Sequence, residues 1–166
     1  MMGAIRILAV LAVAFALASC APKSKFRTYN GPEVTRVEVH KDARKVYLLH
    51  DDKVLKSYDM ALGFAPVGHK EFEGDGKTPE GLYYISFKKP DSDYHLSLKI
   101  SYPNDVDRVH ASTKGKSPGG DIFIHGGPKG PVARRDWTAG CIAVSDREIE
   151  EIYSMVRTGT PIVIFP

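Results

Sequence analysis

Between Val34 and Leu62 apolar and polar residues alternate in three short runs, carried by Val37 and Val39, by Val46 and Leu48, and by the stretch Val54 to Leu62. A period of two puts the apolar side chains of a strand on one face. The polar joins Lys41-Asp42-Ala43-Arg44 and Asp51-Asp52-Lys53 suit tight turns, so three antiparallel strands are predicted. Further strands are expected over Leu82 to Lys88, Leu96 to Ser101, Ile122 to Ile124 and Ile162 to Phe165, with Pro90 to Asp93 as a turn. Tyr102-Pro103-Asn104-Asp105 reads as a break that starts one short helical turn through Val109.

One stretch has a clear helical period. Ile149, Ile152, Tyr153 and Val156 form an apolar stripe, Ser145 with Glu148 three residues on forms a capping box, and Gly159 is the stop. The segment between the third and fourth strands, Gly63 to Glu80, is long and polar, as the wall or lid of a cleft is. Its Gly76-Lys77-Thr78 invites comparison with a phosphate-binding loop. That comparison fails, because Glu71 stands where the first glycine belongs and Pro79 follows where a helix must begin.

The amino terminus is a different material. Arg6 precedes an unbroken apolar run, Ile7 to Leu17, too short to span a bilayer as a mature anchor, and this reads as an export signal. The leader ends in Leu17-Ala18-Ser19-Cys20, which resembles the bacterial lipobox. That resemblance implies a signal peptide over residues 1–19, removed to leave an acylated Cys20; the alternative is an ordinary signal cut that leaves Cys20 free to form a disulfide. Residues 20–33 are expected as a lipidated cysteine and flexible tether, and 34–166 as one globular domain. The length of 166 residues suits a single core. Loss of Arg6 with the leader takes the formal charge from +3 to +2, too weak a balance to imply nucleic acid.

Two residues then stand out as candidate chemistry. His125 closes an apolar strand and Cys141 follows sixteen residues later in the turn Thr138-Ala139-Gly140-Cys141. Histidine within reach of a thiol takes its proton and stabilises the thiolate as an ion pair. Gly140 frees backbone N–H groups, its own and that of Cys141, to converge as an oxyanion site. The competing reading is a small buried cysteine and a structural histidine. If Cys20 is acylated, Cys141 has no partner in an oxidising compartment, which favours a reactive thiol. One such cysteine and scattered histidines lack the paired spacing of a zinc site, so no metal or other cofactor is expected.

Thr78-Pro79-Glu80-Gly81, Ser101-Tyr102-Pro103-Asn104, Ile124-His125-Gly126 and Thr138-Ala139-Gly140-Cys141-Ile142 together resemble the L,D-transpeptidases with a YkuD-type catalytic domain, over Val34 to Phe165. The resemblance implies a mainly β, sandwich-like catalytic domain with one C-terminal amphipathic helix. It also implies that Cys141 attacks the carbonyl after diaminopimelate in a peptidoglycan stem tetrapeptide, with His125 as general base. The thioester then passes to an amine on another stem peptide or on an anchored lipoprotein, or to water. Family members commonly carry Ser-His-Gly-Cys at the nucleophile and an arginine two residues beyond, where this chain has Ala139 and Ala143. Arg134 and Arg135 are therefore candidates for the substrate carboxylate, which a guanidinium binds bidentately; otherwise they sit on a solvated loop. Trp137 either packs under the cysteine turn or stacks on substrate.

The expectation is thus a lipid-anchored transpeptidase of the bacterial cell envelope, with peptidoglycan stem peptides as partners and a murein-linked lipoprotein as an alternative acceptor. A hydrolase of the same bonds and a non-catalytic peptidoglycan-binding lipoprotein are the rival readings. Ala21 is not the aspartate associated with inner-membrane retention, which points to the outer membrane where two are present.

Overall fold

The computed structural model describes residues 24–128 and 130–166. The leader and Cys20, on which the lipobox expectation falls, lie outside the described residues. The alternating runs form β1 (Arg36–His40), β2 (Lys45–His50) and β3 (Lys53–Asp59), paired antiparallel in order as predicted. Then follow β4 (Gly81–Ser92), β5 (His95–Ile100), helix α1 (Asp105–Thr113), β6 (Phe123–His125), β7 (Ile142–Ala143), helix α2 (Asp146–Met155) and β8 (Pro161–Phe165).

The strands form one continuous series, β3-β2-β1-β8-β4-β5-β6-β7. β4 is shared between its halves. Residues Gly81 to Tyr84 pair with β8, residues from Ile85 onward pair with β5, and the register slips between Ile85 and Phe87. Such a bulge bends a strand and increases its twist, so the sheet folds over at this point. The far end returns to the beginning: Ala143 of β7 bridges Ala61, and Thr138 bridges Gly63, both just beyond β3. The result is the mainly β, sandwich-like fold expected.

Between the two halves lies the core. Val37 and Val39, Val46 and Leu48, Ile162 and Ile164 face Leu96, Leu98, Ile124 and Ile142, all fully or almost fully buried. Burying one such side chain contributes about 1.5–3 kcal/mol. α2 lies on β5 and β6 and buries Ile149, Ile152 and Met155. Its Ser145–Glu148 capping box forms as predicted and contributes about 1 kcal/mol.

Three local expectations are corrected. The helical turn after Tyr102 is a nine-residue helix, capped by Asn104 and Asp107. It carries no apolar stripe to betray it, since Val106 and Val109 are exposed and Asp107 and Ala111 are the buried pair. Pro90 to Ser92 continue β4, and the turn is only Asp93 and Tyr94. A bulge between Lys89 and Ser92 accommodates Pro90, whose missing N–H a regular ladder would have needed. Finally, the tether expected through residue 33 is docked from Ser24 onward: Lys25, Arg27 and Tyr29 are all partly buried against the domain.

Candidate active site

β6 and β7 run parallel, with Ile124 opposite Ile142 and His125 opposite Ala143. Strand alternation sends Ile124 and Ile142 into the core and leaves Phe123 and His125 on the other face. Ser97 of β5, opposite His125 in register, shares that face. Cys141 enters one residue before β7, and all four side chains line one cavity of about 220 Å³, walled further by Tyr94 and Asp121. The histidine and cysteine thus line one cavity from neighbouring strand ends, with the thiol donating to the Asp121 carbonyl at 3.5 Å.

The His125 ring is almost wholly buried, stacked on Tyr94 with centroids 4.4 Å apart and set edge-on to Trp137 at 5.7 Å. Its Nδ1 lies 2.7 Å from the Gly126 carbonyl oxygen. A carbonyl can only accept, so Nδ1 carries the proton and Nε2 keeps the lone pair. Burial lowers the imidazole below its usual value, partly offset by that same Gly126 bond. Burial likewise pushes the Cys141 thiol up, against a hydrogen bond from the Phe123 N–H; the Asp121 charge adds to the rise and Lys70 opposes it. Both charged forms are therefore disfavoured. The resting pair is a neutral thiol and a neutral imidazole rather than the ion pair expected from the residue types.

The turn holding Cys141 is built from behind. Thr138 Oγ1 donates to the Cys141 carbonyl at 2.7 Å and accepts the Gly140 N–H at 3.1 Å. The Gly140 donor, expected as half of an oxyanion site, is thus engaged within the turn. Gly140 has φ +134, and an added Cβ would lie 2.6 Å from the Lys77 carbonyl oxygen, so glycine is required there. Its own carbonyl accepts the buried Thr78 hydroxyl at 2.9 Å. Thr78 and Thr138 stood in the motifs that carry the family resemblance, but no role was assigned to either hydroxyl from the sequence, because nothing local shows that Thr78 reaches Gly140, 62 residues on.

A family model for the L,D-transpeptidase catalytic domain, YkuD, matches residues 34–164. The chain belongs to the YkuD family of L,D-transpeptidase catalytic domains. YafK of Escherichia coli K12, itself only provisionally assigned as an L,D-transpeptidase, is 33% identical over 106 residues, 63% of this chain and 38% of YafK. The helical cell shape determining protein Pgp2 from Campylobacter jejuni superposes with a TM-score of 0.64 at 28% identity, covering 91% of this chain and 54% of Pgp2. An L,D-transpeptidase from Mycobacterium smegmatis shares the fold, with a TM-score of 0.55 at 17% identity over 80% of this chain and 59% of that one. This YkuD domain therefore spans roughly two fifths to three fifths of the length of these relatives.

Within the YkuD domain the remaining candidates divide. Trp137 packs against His125 and Tyr94, at 5.7 Å from each, and lines a second cavity of about 470 Å³ together with Arg135. Arg134 is exposed, with its guanidinium 5.4 Å from the Phe64 ring centre. Neither arginine lines the cavity shared by His125 and Cys141. Their loop is anchored instead by Asp136, which binds Arg44 at 2.9 Å and accepts the Leu62 N–H at 3.0 Å. The long loop expected as a cleft wall does line one: Lys70, Glu73 and Gly74 face Ser101, Tyr102 and Ala139 across a groove of about 870 Å³. Asp121 borders both this groove and the cysteine cavity.

Proposed function

We propose that this protein is a cell-wall L,D-transpeptidase in which Cys141 is the nucleophile and His125 its general base. The observation that carries the reading is the His125 Nδ1–Gly126 hydrogen bond, which leaves Nε2 as the ring's proton acceptor in a cavity that Cys141 also lines. Nε2 takes the thiol proton as sulfur attacks the carbonyl after diaminopimelate in a stem tetrapeptide. The imidazolium then protonates the departing amine, and D-alanine leaves a thioester on Cys141. An acceptor amine from a second stem peptide attacks that thioester, gives its proton to Nε2, and releases the cysteine. Neutral resting partners suit this sequence, since the proton moves only when substrate brings the carbonyl into place. The groove of about 870 Å³ bordered by Asp121 and Ala139 lies beside the cysteine cavity and offers a place for the peptide on one side of the sulfur. The Campylobacter neighbour is a cell shape determining protein, which supports a wall-remodelling task.

Intact-mass spectrometry tests the chemistry. With a disaccharide tetrapeptide donor, the wild type should gain the donor mass less D-alanine, and Cys141→Ala should not. His125→Ala should slow adduct formation by about 10² or more, least at alkaline pH, where the thiol ionises unaided. A peptide dimer on adding acceptor marks transpeptidation, and free tripeptide marks hydrolysis. An adduct on Cys141→Ala would remove this residue as nucleophile. If no such donor reacts while the protein still binds intact murein sacculi, a non-catalytic binding role replaces this one.

The same reading puts the protein on the periplasmic face of an envelope membrane, held through acylated Cys20, because each buried methylene of a lipid chain contributes about 0.8 kcal/mol. Cys20→Ala should release it to the soluble fraction. Unchanged mass and membrane fractionation in that variant would overturn the anchor.

A further inference from the structure

His125 lacks a carboxylate on Nδ1; its hydrogen-bond partner is the carbonyl of the next residue. A bond to its own neighbour fixes the tautomer but does little to fix the ring against the sheet. Ring contacts must do that, and the tighter of the two comes from Tyr94. Tyr94 sits in the two-residue turn between β4 and β5, and its carbonyl accepts the Gly126 N–H at 3.0 Å. The turn presses so closely that a Cβ on Gly126 would lie 2.7 Å from that carbonyl oxygen.

The segment before the domain adds a further tie to this turn. Lys25 Nζ donates to the Pro90 carbonyl at 2.7 Å and to the His95 carbonyl at 3.0 Å, tying the two arms of the hairpin with one ammonium. Arg27, two residues on, is fixed to α2 by Glu150 at 2.9 and 2.7 Å and by Glu151 at 3.0 Å. Glu150 also meets His95 Nε2 at 2.9 Å, so strap, hairpin and helix converge on one carboxylate. A solvated tether would leave both cations in water. Here each makes at least two charge-assisted bonds, which are shorter and stronger than neutral ones.

We propose that Lys25 is a positioning residue for His125, acting through the β4–β5 turn and the Tyr94 ring. That His125 serves as base rests on the proposed function, whereas the positioning itself does not. With the strap released, the turn lifts, the Tyr94 ring leaves the imidazole, and water enters the cavity around the thiol.

The test uses the full chain in mild detergent, with Lys25→Met, which keeps the side-chain stem, Lys25→Arg, and Arg27→Gln, which frees the strap at its other end. Iodoacetamide alkylation of Cys141 is followed against pH, beside thermal melting and turnover of the tetrapeptide donor. The charged groups near the pair, Asp121 and Lys70 by the thiol and Lys89 and Asp93 on the cavity wall, are untouched in all three variants. Rehydration makes the thiolate easier to form, so Lys25→Met should move the alkylation profile to lower pH. A profile displaced by about 0.5 on the pH axis corresponds to a reaction about threefold faster at neutral pH. Turnover should fall about tenfold through kcat with KM little changed, as for a misplaced catalytic group. Lys25→Arg should restore both, and Arg27→Gln should move both in the direction of Lys25→Met. An alkylation profile that matches wild type in Lys25→Met and Arg27→Gln overturns the proposal, even if both melt earlier, because a merely structural tie would change only the melting. If the wild type turns over no stem peptide, the proposed function fails while the alkylation profiles still decide the positioning role.

Discussion

Thr78 Oγ1 donates to the Gly140 carbonyl at 2.9 Å, joining residues 62 apart at the back of the cysteine turn. The loop that delivers Thr78 is itself tied down. Lys41, only 2% exposed, reaches the carbonyl oxygens of Gly68 at 2.6 Å and Thr78 at 3.3 Å and the Glu80 carboxylate at 2.7 Å. The Gly-Lys-Thr sequence that suggested a phosphate loop therefore serves the cysteine.

Thr78→Val removes the hydroxyl and keeps the shape, leaving the Gly140 carbonyl without that donor. Stability should fall by about 1–3 kcal/mol, the cost of an unpaired buried acceptor. Urea denaturation measures it. Alkylation of Cys141 should lose its single-phase time course as the turn loosens; wild-type behaviour in both would show that the bond does not hold the turn.

Gly140→Ala places a methyl against the Lys77 carbonyl oxygen at 2.6 Å and forces φ +134 on a residue with a side chain. A loss of roughly 1–3 kcal/mol from backbone strain alone is expected, with the steric contact added to it. Gly120→Ala is the control, since its nearest neighbour would be 3.9 Å away and its φ is ordinary. Equal melting temperatures for the two variants would contradict the geometry.

Ile152→Ala should lower stability by about 2–5 kcal/mol, because the side chain is fully buried on the inner face of α2. Tyr153→Ala should cost less. Its ring is only partly buried, lying against Phe26 and under the Lys88 ammonium at 4.3 Å. Turnover per folded molecule should change little in either variant, which calorimetry paired with active-site titration can establish.

The pH dependence of Cys141 reactivity follows from the burial of both groups. A thiol pushed up by burial beside an imidazole pushed down is un-ionised and uncharged at neutrality, so alkylation should climb through the alkaline range. A preformed thiolate–imidazolium pair would instead give a plateau beginning between the two pKa values. Finding such a plateau below pH 7 would mean that the resting cavity is better solvated than its geometry implies.

Much of the fold was legible in the chain alone. Alternation at Val37, Val39, Val46 and Leu48 has one physical outcome, a strand with a buried face, and the Ser145–Glu148 box with Ile149 and Ile152 has one as well. His125 and Cys141 were legible as candidates, because a histidine closing a strand and a cysteine after a glycine turn are the residue types such chemistry uses, and the structure lines one cavity with both. Local sequence carries these features because each depends on residues a few positions apart. It announced only one turn of α1, whose exposed Val106 and Val109 give no inward stripe to extend it, and was silent on the two-residue β7, too short for any period. Only the tertiary structure decided that Thr78 and Thr138 brace the cysteine turn, that Lys25 ties down the hairpin beside His125, and that Arg134 and Arg135 stay out of the cysteine cavity. It also decided the protonation of the resting pair, since the type of a residue sets its ordinary pKa, while the depth at which the sheet buries it determines which charge survives.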